Sequence, residues 1–295
     1  MIRLFGILTG LFFAVAALWS FGNGAFVAAT EGLGEETAEL AFYEHPEKLD
    51  LPSNGIFGTF DVAQLQRGYQ VYKEVCAACH SLKFVAIRDL AQLGYDEGQI
   101  KAEAASFQVP GIDPNTGEAT TRPGLPTDYF PSPYANTVMA AAANNNAIPP
   151  DLSLITKARH DGTAYVHSLL TGYSRPPTEL TRQFPEFSTP PGLYYNRYFP
   201  NLNIAMAPPL GADGQVTYAP GNPEPTIDQM ATDVAAFLTW TAEPTLVKRR
   251  QTGFAVLGFV LFATILAYFA KQQIWAAVKP KRRPRRRINA EFEPV

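Results

Sequence analysis

The chain begins with one long apolar run and ends shortly after another. Between them apolar residues return at helical spacing only in short bursts. Leu4 to Phe21 carries no charge, follows a single basic residue, Arg3, and leads to small residues at Val27-Ala28-Ala29. That order predicts a secretory signal over residues 1–29, cleaved after Ala29. An uncleaved anchor is the alternative, because the run is about long enough to span a bilayer. Gln251 to Ala270 is the second uncharged run. At ~1.5 Å per residue it covers roughly 30 Å, the thickness of a bilayer core. Lys248-Arg249-Arg250 precede it, and Lys271 and a larger basic cluster from Lys279 to Arg287 follow. The heavier cluster predicts a cytoplasmic C-terminus, and Tyr268 and Trp275 suit the interfacial belt. Residues 248–275 therefore read as a transmembrane anchor and 276–295 as a basic cytoplasmic tail.

Between the runs the pattern is mainly helical. Residues 30–57 lack apolar periodicity and read as an acidic arm lying on the body or on a partner. Asp61 is placed to cap a helix, with Gln64 at the capping-box position. Leu65, Gly68, Tyr69, Tyr72 and Cys76 then recur on one face of it. Short helices are predicted over 99–107, over 137–144, from an Asp151 cap to about Arg159, and over 162–171. A longer one covers 227–241, with Met230, Val234, Phe237, Leu238 and Trp240 as its apolar side. Residues 108–136 carry Pro110, Pro114, Pro123, Pro126, Pro131 and Pro133 and read as a long loop without regular structure. Residues 173–225 are again Pro-rich and aromatic. The expected body, 58–247, is mainly α with long Pro-rich loops.

Charge sharpens this division. The net charge of −3 hides 25 acidic and 12 basic residues between Thr30 and Val247, against 2 acidic and 11 basic from Lys248 onward. An acidic body argues against nucleic acid and suits a basic protein partner, although ordinary solubility charge explains it equally well.

The chemistry is concentrated in Cys76-Ala77-Ala78-Cys79-His80, which holds the only two cysteines of the chain. C-x-x-C-H is the attachment spacing of a c-type haem: two thiols on one turn can each bond a vinyl group, and the histidine then meets the iron. No third cysteine helps complete a thiolate-rich zinc site, and no βαβ pattern suggests a thioredoxin-like pair. A helix before the motif packed on one at the end of the domain is what a class I c-type cytochrome core requires. Haem attachment also takes place outside the cytoplasm in bacteria, in keeping with an exported body. For the other face of the iron the residues offer Met139, Met206, Met230, His45, His160, His167 or nothing. Met139 and Met230 sit at apolar helical positions and read as core. Met206 precedes Pro208-Pro209 in a loop stiff enough to hold a thioether.

Several stretches together resemble the cytochrome c1 family: Arg67 to Ser81, Pro149 to Ser153, Ala158-Arg159-His160, Leu169 to Tyr173, Ile204 to Leu210 and Ala242-Glu243-Pro244. The likeness runs from about Gly58 to Lys279. It implies a subunit of a bacterial ubiquinol–cytochrome c oxidoreductase (bc1 complex), working beside cytochrome b. Electrons would come from a Rieske iron–sulfur protein and pass to a cytochrome c, with no substrate bond made or broken on this chain. It implies one covalent haem c on Cys76 and Cys79, iron ligation by His80 and Met206, and Arg159 against a propionate. It also implies a haem domain in the periplasm and a single span in the cell membrane. The cysteine pair that makes a disulfide in some bacterial relatives is missing here. A membrane-anchored carrier working without such a complex is the alternative, and a haem protein with an open sixth position is a further one.

Overall fold

The structure, a computed structural model, describes residues 2–30 and 37–278. The basic tail from Lys279 onward, and Glu31, Glu35 and Glu36 of the acidic arm, lie outside the described residues. The chain divides into two compact units, one of Met1–Pro52 with Phe60–Pro244 and one of Ser53–Thr59 with Thr245–Val295.

In the first unit, α1 (Ile2–Thr30) has no buried residue. The arm is not wholly extended: Thr37 caps a short helix, α2 (Ala38–Phe42), by accepting from the Leu40 amide. Its described residues 37–52 pack on the body. Ala38 joins a small core with Leu180, Tyr195 and Leu202, and Leu51 enters the main core. Ser168 Oγ accepts from the Glu47 amide at 3.0 Å, and the Tyr198 hydroxyl donates to Glu47 at 3.0 Å.

Helix α3 (Val62–Val71) starts at Asp61, whose carboxylate accepts from the amides of Ala63 and Gln64. Gln64 does not close a capping box. Its amide turns inward and donates to Asp233 at 3.2 Å. After Val71 the helix widens into a π turn, Tyr72–Cys76, in which Tyr72 O accepts from Ala77 N at 2.8 Å. Such widened turns gather at functional positions. Helix α4 (Glu97–Ser106) has the full capping box, Asp96 with Gln99.

The stretch expected to be an irregular loop contains a hairpin: β1 (Gln108–Ile112) pairs antiparallel with β2 (Ala119–Pro123). A two-stranded ribbon has an open edge on each strand, which is where proline is tolerated. The ribbon is tied down beyond β2, where Asp128 O accepts from the Ile87 amide and Pro126 O from the Arg88 amide. Arg122 donates to Asp128 through both terminal nitrogens, at 2.7 and 2.9 Å. Together with the Leu125 amide it holds the Asp128 carboxyl at about 2, against an ordinary 3.8. A value depressed on folding means that this stabilisation is present above pH 3.8 and lost as pH falls through about 2. Asp128→Asn should therefore speed hydrogen exchange of the 107–130 amides at pH 5 and change it little at pH 2. The pair is exposed, so the effect should be small; equal differences at both pH values would refute the assignment.

Next come α5 (Thr137–Ala143), ended by the left-handed Asn145 and Asn146, and α6 (Ile155–Ala158). The latter is much shorter than the helix expected from Asp151, which is not its cap. Then follow α7 (Gly162–Thr171), α8 (Thr178–Gln183) and the two-residue strands β3 (Tyr194–Tyr195) and β4 (Asn203–Ile204). Helix α9 (Ile227–Ala242), capped by Thr226, closes the unit.

The core is the crossing of α3 and α9. A Cβ on Gly68 would stand 2.1 Å from the Asp233 carbonyl oxygen and 2.7 Å from Phe237 Cβ, so only glycine lets the two backbones meet. Around that contact Tyr69, Tyr72, Phe130, Phe237 and Trp240 pack with ring centroids 5.6–6.4 Å apart, a spacing at which aromatic pairs attract. Met230 is fully buried, as expected, but Met139 is 54% exposed and is not core.

In the second unit α10 (Leu246–Ala276) carries the predicted anchor and begins two residues earlier than the span read from sequence. It and α1 are each long and apolar enough to cross a membrane. The fold class expected from the sequence, a mainly α domain with a C-terminal apolar helix, is the one observed.

Candidate functional site

The π turn delivers Cys76, Cys79 and His80 onto one short loop. Cys76 O accepts from the amides of both Cys79 and His80, at 3.1 and 2.9 Å, which curls the motif back on the helix end. The Tyr72 hydroxyl, reaching from the core, donates to His80 O at 3.0 Å. Both cysteines are half-buried and neither is in a disulfide. Burial, with Cys79 adding to it, pushes the Cys76 thiol up to about 12. A nucleophilic C-x-x-C pair needs the opposite shift.

His80 is oriented from a segment 70 residues away. Its Nδ1 lies 2.8 Å from Pro150 O. A carbonyl can only accept, so Nδ1 carries the proton and Nε2 presents a lone pair. Burial also lowers the His80 pKa, the Pro150 bond and nearby Asp151 opposing it, and this favours the neutral ring that a metal needs. Pro150 is fixed by a small lattice. Asp151 accepts from Ser81 Oγ at 2.7 Å and from the Lys83 and Ser153 amides at 2.9 and 3.0 Å. Ser153 Oγ accepts from the Phe84 amide, and Ser81 O from the Leu152 amide. The motif and residues 150–153 are thus one rigid piece. Nothing in their sequence marks Asp151 for this; its place before a polar-capped stretch suggests an ordinary helix cap.

Met206 lies just past β4, half-buried, and the Tyr173 hydroxyl donates to its carbonyl at 3.0 Å. The loop is shaped by Asn196, fully buried, whose Nδ2 donates to Leu169 O at 2.7 Å and whose Oδ1 accepts from the Tyr198 amide. Asn196 N also donates to O of Leu202, a buried residue held at φ +58°. A non-glycine residue in that region is held by its surroundings.

The three histidine candidates have other partners. His167 Nε2 is 2.9 Å from Asp228, His160 Nδ1 is 2.9 Å from Asp161, and the His45 ring stands edge-on to Tyr43. Arg159 is exposed at the end of α6, and its Nη1 donates to Ala158 O at 3.2 Å. Burial raises the Tyr165 pKa, partly opposed by the charge of Arg159 and a hydrogen bond to it. Burial likewise raises that of Tyr173, with Tyr165 adding to it. Arg159, Tyr165, Tyr173 and the Met206 loop therefore form one neighbourhood, and Cys76, Cys79, His80 and Pro150 a second.

These residues fit a c-type haem. Two unpaired thiols precede a histidine whose Nδ1 is engaged and whose Nε2 is left to ligate. On either side of Pro150 the chain leaves Ile148 and Leu154 exposed, apolar surface of the kind a porphyrin covers.

The model of the Cytochrome C1 family matches residues 51–278. The cytochrome c1 of Rhodospirillum rubrum is 46% identical, over 79% of this chain and 88% of that protein. The cytochrome b-c1 complex catalytic subunit of Candida albicans mitochondria is 42% identical, over 81% and 80%. A protein of Bradyrhizobium diazoefficiens named cytochrome b/c1 is 43% identical over 75% of this chain but only 34% of its own length.

Proposed function

This chain belongs to the cytochrome c1 family, and from that premise we propose that it carries single electrons within a ubiquinol–cytochrome c oxidoreductase. The observation that carries the reading is the Pro150–His80 bond beside two unpaired cysteines in a chain of this family. Bound haem c supplies a one-electron couple. Cys76 and Cys79 would hold it by thioether bonds, and His80 would ligate through Nε2, since Pro150 keeps the proton on Nδ1. Met206 would supply the other protein ligand, a thioether that favours the reduced metal. Arg159 meets a propionate, a use suited to a planar guanidinium.

Cytochrome b is the partner in the membrane; the relative named cytochrome b/c1 supports that pairing. A Rieske protein donates and a cytochrome c accepts. The signal segment 1–29 is removed, the body faces the periplasm, and α10 spans the cell membrane with the basic tail in the cytoplasm.

The test is purification of the chain from its own membranes in mild detergent. The reduced-minus-oxidised spectrum should show b-type bands beside the c-type band, with quinol-dependent reduction of cytochrome c. A c-type band alone, in the gentlest detergents, would instead make this a stand-alone carrier.

The acidic body should steer a basic acceptor. Changing Glu31, Glu35, Glu36, Glu39, Glu44 and Glu47 to Gln should slow cytochrome c reduction about tenfold at low salt. The difference should fade above ~0.1 M salt, where screening reaches about 10 Å. Glu44 already faces Arg197 at 3.4 Å and Glu47 takes the Tyr198 hydroxyl, so these two should matter least. An unchanged rate and salt slope would remove the arm from docking.

A further inference from the structure

The second unit contains more than an anchor helix. Residues Ser53–Thr59 form a tight loop built against the first turns of α10. Gly55 sits at φ +71°, and a Cβ on Gly58 would collide with the Asn54 carbonyl oxygen at 2.1 Å, so the turn requires both glycines. The loop points its only large apolar side chains outward: Ile56 is 66% exposed and Phe57 84%.

Two contacts fix the height of this loop on the helix. Phe57 stacks on Phe254, with ring centroids 5.5 Å apart and planes 11° from parallel. Phe254 follows Arg250 by four residues, about 6 Å further along the axis at ~1.5 Å per residue. Phe57 therefore lies on the apolar side of the Lys248-Arg249-Arg250 edge. The second contact is Arg250 itself, whose Nη1 donates to Ser53 O at 2.9 Å and to Gly58 O at 3.2 Å. Carbonyls at the edge of a hydrocarbon layer need such a donor, since water is scarce there. Arg250 can supply it while its charge stays at headgroup level.

We propose that Ser53–Thr59 is an interfacial wedge: Ile56 and Phe57 enter the acyl-chain boundary of the leaflet beside Lys248–Arg250, a second lipid contact next to the span. The occupant is phospholipid, because the exposed pair continues the apolar surface of α10 below a basic edge that suits phosphate. Alone, the loop offers too little apolar area to bind a membrane. Tethered beside a spanning helix, it needs only to keep that contact.

The proposal rests on α10 crossing the bilayer, and the test reads the two separately. The full haem-loaded chain is placed in phosphatidylcholine nanodiscs with a nitroxide on one introduced cysteine. Ile56→Cys keeps the Phe57–Phe254 stack, Phe254→Cys reports the span, and Lys101→Cys on exposed α4 is the aqueous reference; the parent chain gives the blank for Cys76 and Cys79. Relaxation by oxygen, which partitions into lipid, is compared with relaxation by a nickel chelate, which stays in water. The expected oxygen-to-nickel ratio at residue 56 is several-fold above that at residue 101 and close to that at 254. A ratio at 56 matching 101, while 254 reads as lipid, overturns the wedge and leaves the span. Protection from both probes at 56 overturns it too, since protein then covers the loop. A water-like ratio at 254 removes the span and the wedge together.

Discussion

Met206→Leu should fold, keep its haem and lose the properties of a six-coordinate carrier. The Met206 carbonyl is held by Tyr173 and the preceding hairpin by Asn196, and neither contact uses the thioether. Leucine has similar volume, so packing should change by less than about 1.5 kcal/mol. On the proposed ligation, what disappears is the soft ligand that favours reduced iron. The reduction potential should drop by a substantial part of the roughly 0.8 V range that axial ligation spans. The reduced variant should bind carbon monoxide, which the parent should resist, and quinol-dependent cytochrome c reduction should nearly stop. A redox titration followed in the visible bands checks the first point. An unchanged potential with no carbon monoxide binding would mean that another residue ligates. Met139 would be tested next, being exposed rather than buried in the core.

Arg67→Ala should be strongly destabilising. Asp233 on α9 is completely buried and receives Arg67 Nε at 2.8 Å and Nη2 at 3.1 Å, with Gln64 at 3.2 Å and Gln229 at 2.9 Å. Removing the guanidinium leaves a buried carboxylate with two neutral donors, a loss of about 3–5 kcal/mol for pairs of this kind. Whole domains are stable by only about 5–15 kcal/mol. The double change Arg67→Met with Asp233→Leu should recover most of the loss, since apolar side chains of similar volume replace buried pairs well. Denaturant unfolding of the haem-loaded chain measures both variants. If the double variant were no better than the single, shape at the helix crossing would matter more than the unpaired charge. The pair also bears on function, because α3 runs directly into Cys76 and any shift of α3 on α9 moves the motif.

Residues that act through local rules were readable in the sequence. Asp61 caps α3, the 3.6-residue pattern of Met230, Val234, Phe237 and Leu238 gave α9, and C-x-x-C-H needs no tertiary information to suggest its chemistry. What escaped was long-range pairing. Gln64 occupies a capping-box position yet answers Asp233, 169 residues later, because a buried carboxylate outbids a solvated helix end. Asp151 looks like a helix cap but is used to lock 150–153 onto 81–83, and only that lock puts Pro150 O where His80 needs it. The ribbon of β1 and β2 was hidden by prolines that a two-stranded edge accepts. The wedge at 53–59 reads as featureless glycine-rich loop until Phe57 is seen on Phe254.

The most direct measurement is the intact mass of the purified chain after acid denaturation, followed by digestion. Haem bound by Cys76 and Cys79 predicts a chain heavier by one haem, with the added mass on the peptide spanning Cys76 to His80. It also predicts loss of that increment in the Cys76→Ala, Cys79→Ala double variant. An unmodified chain whose haem passes into acidified organic solvent would contradict the account at its centre.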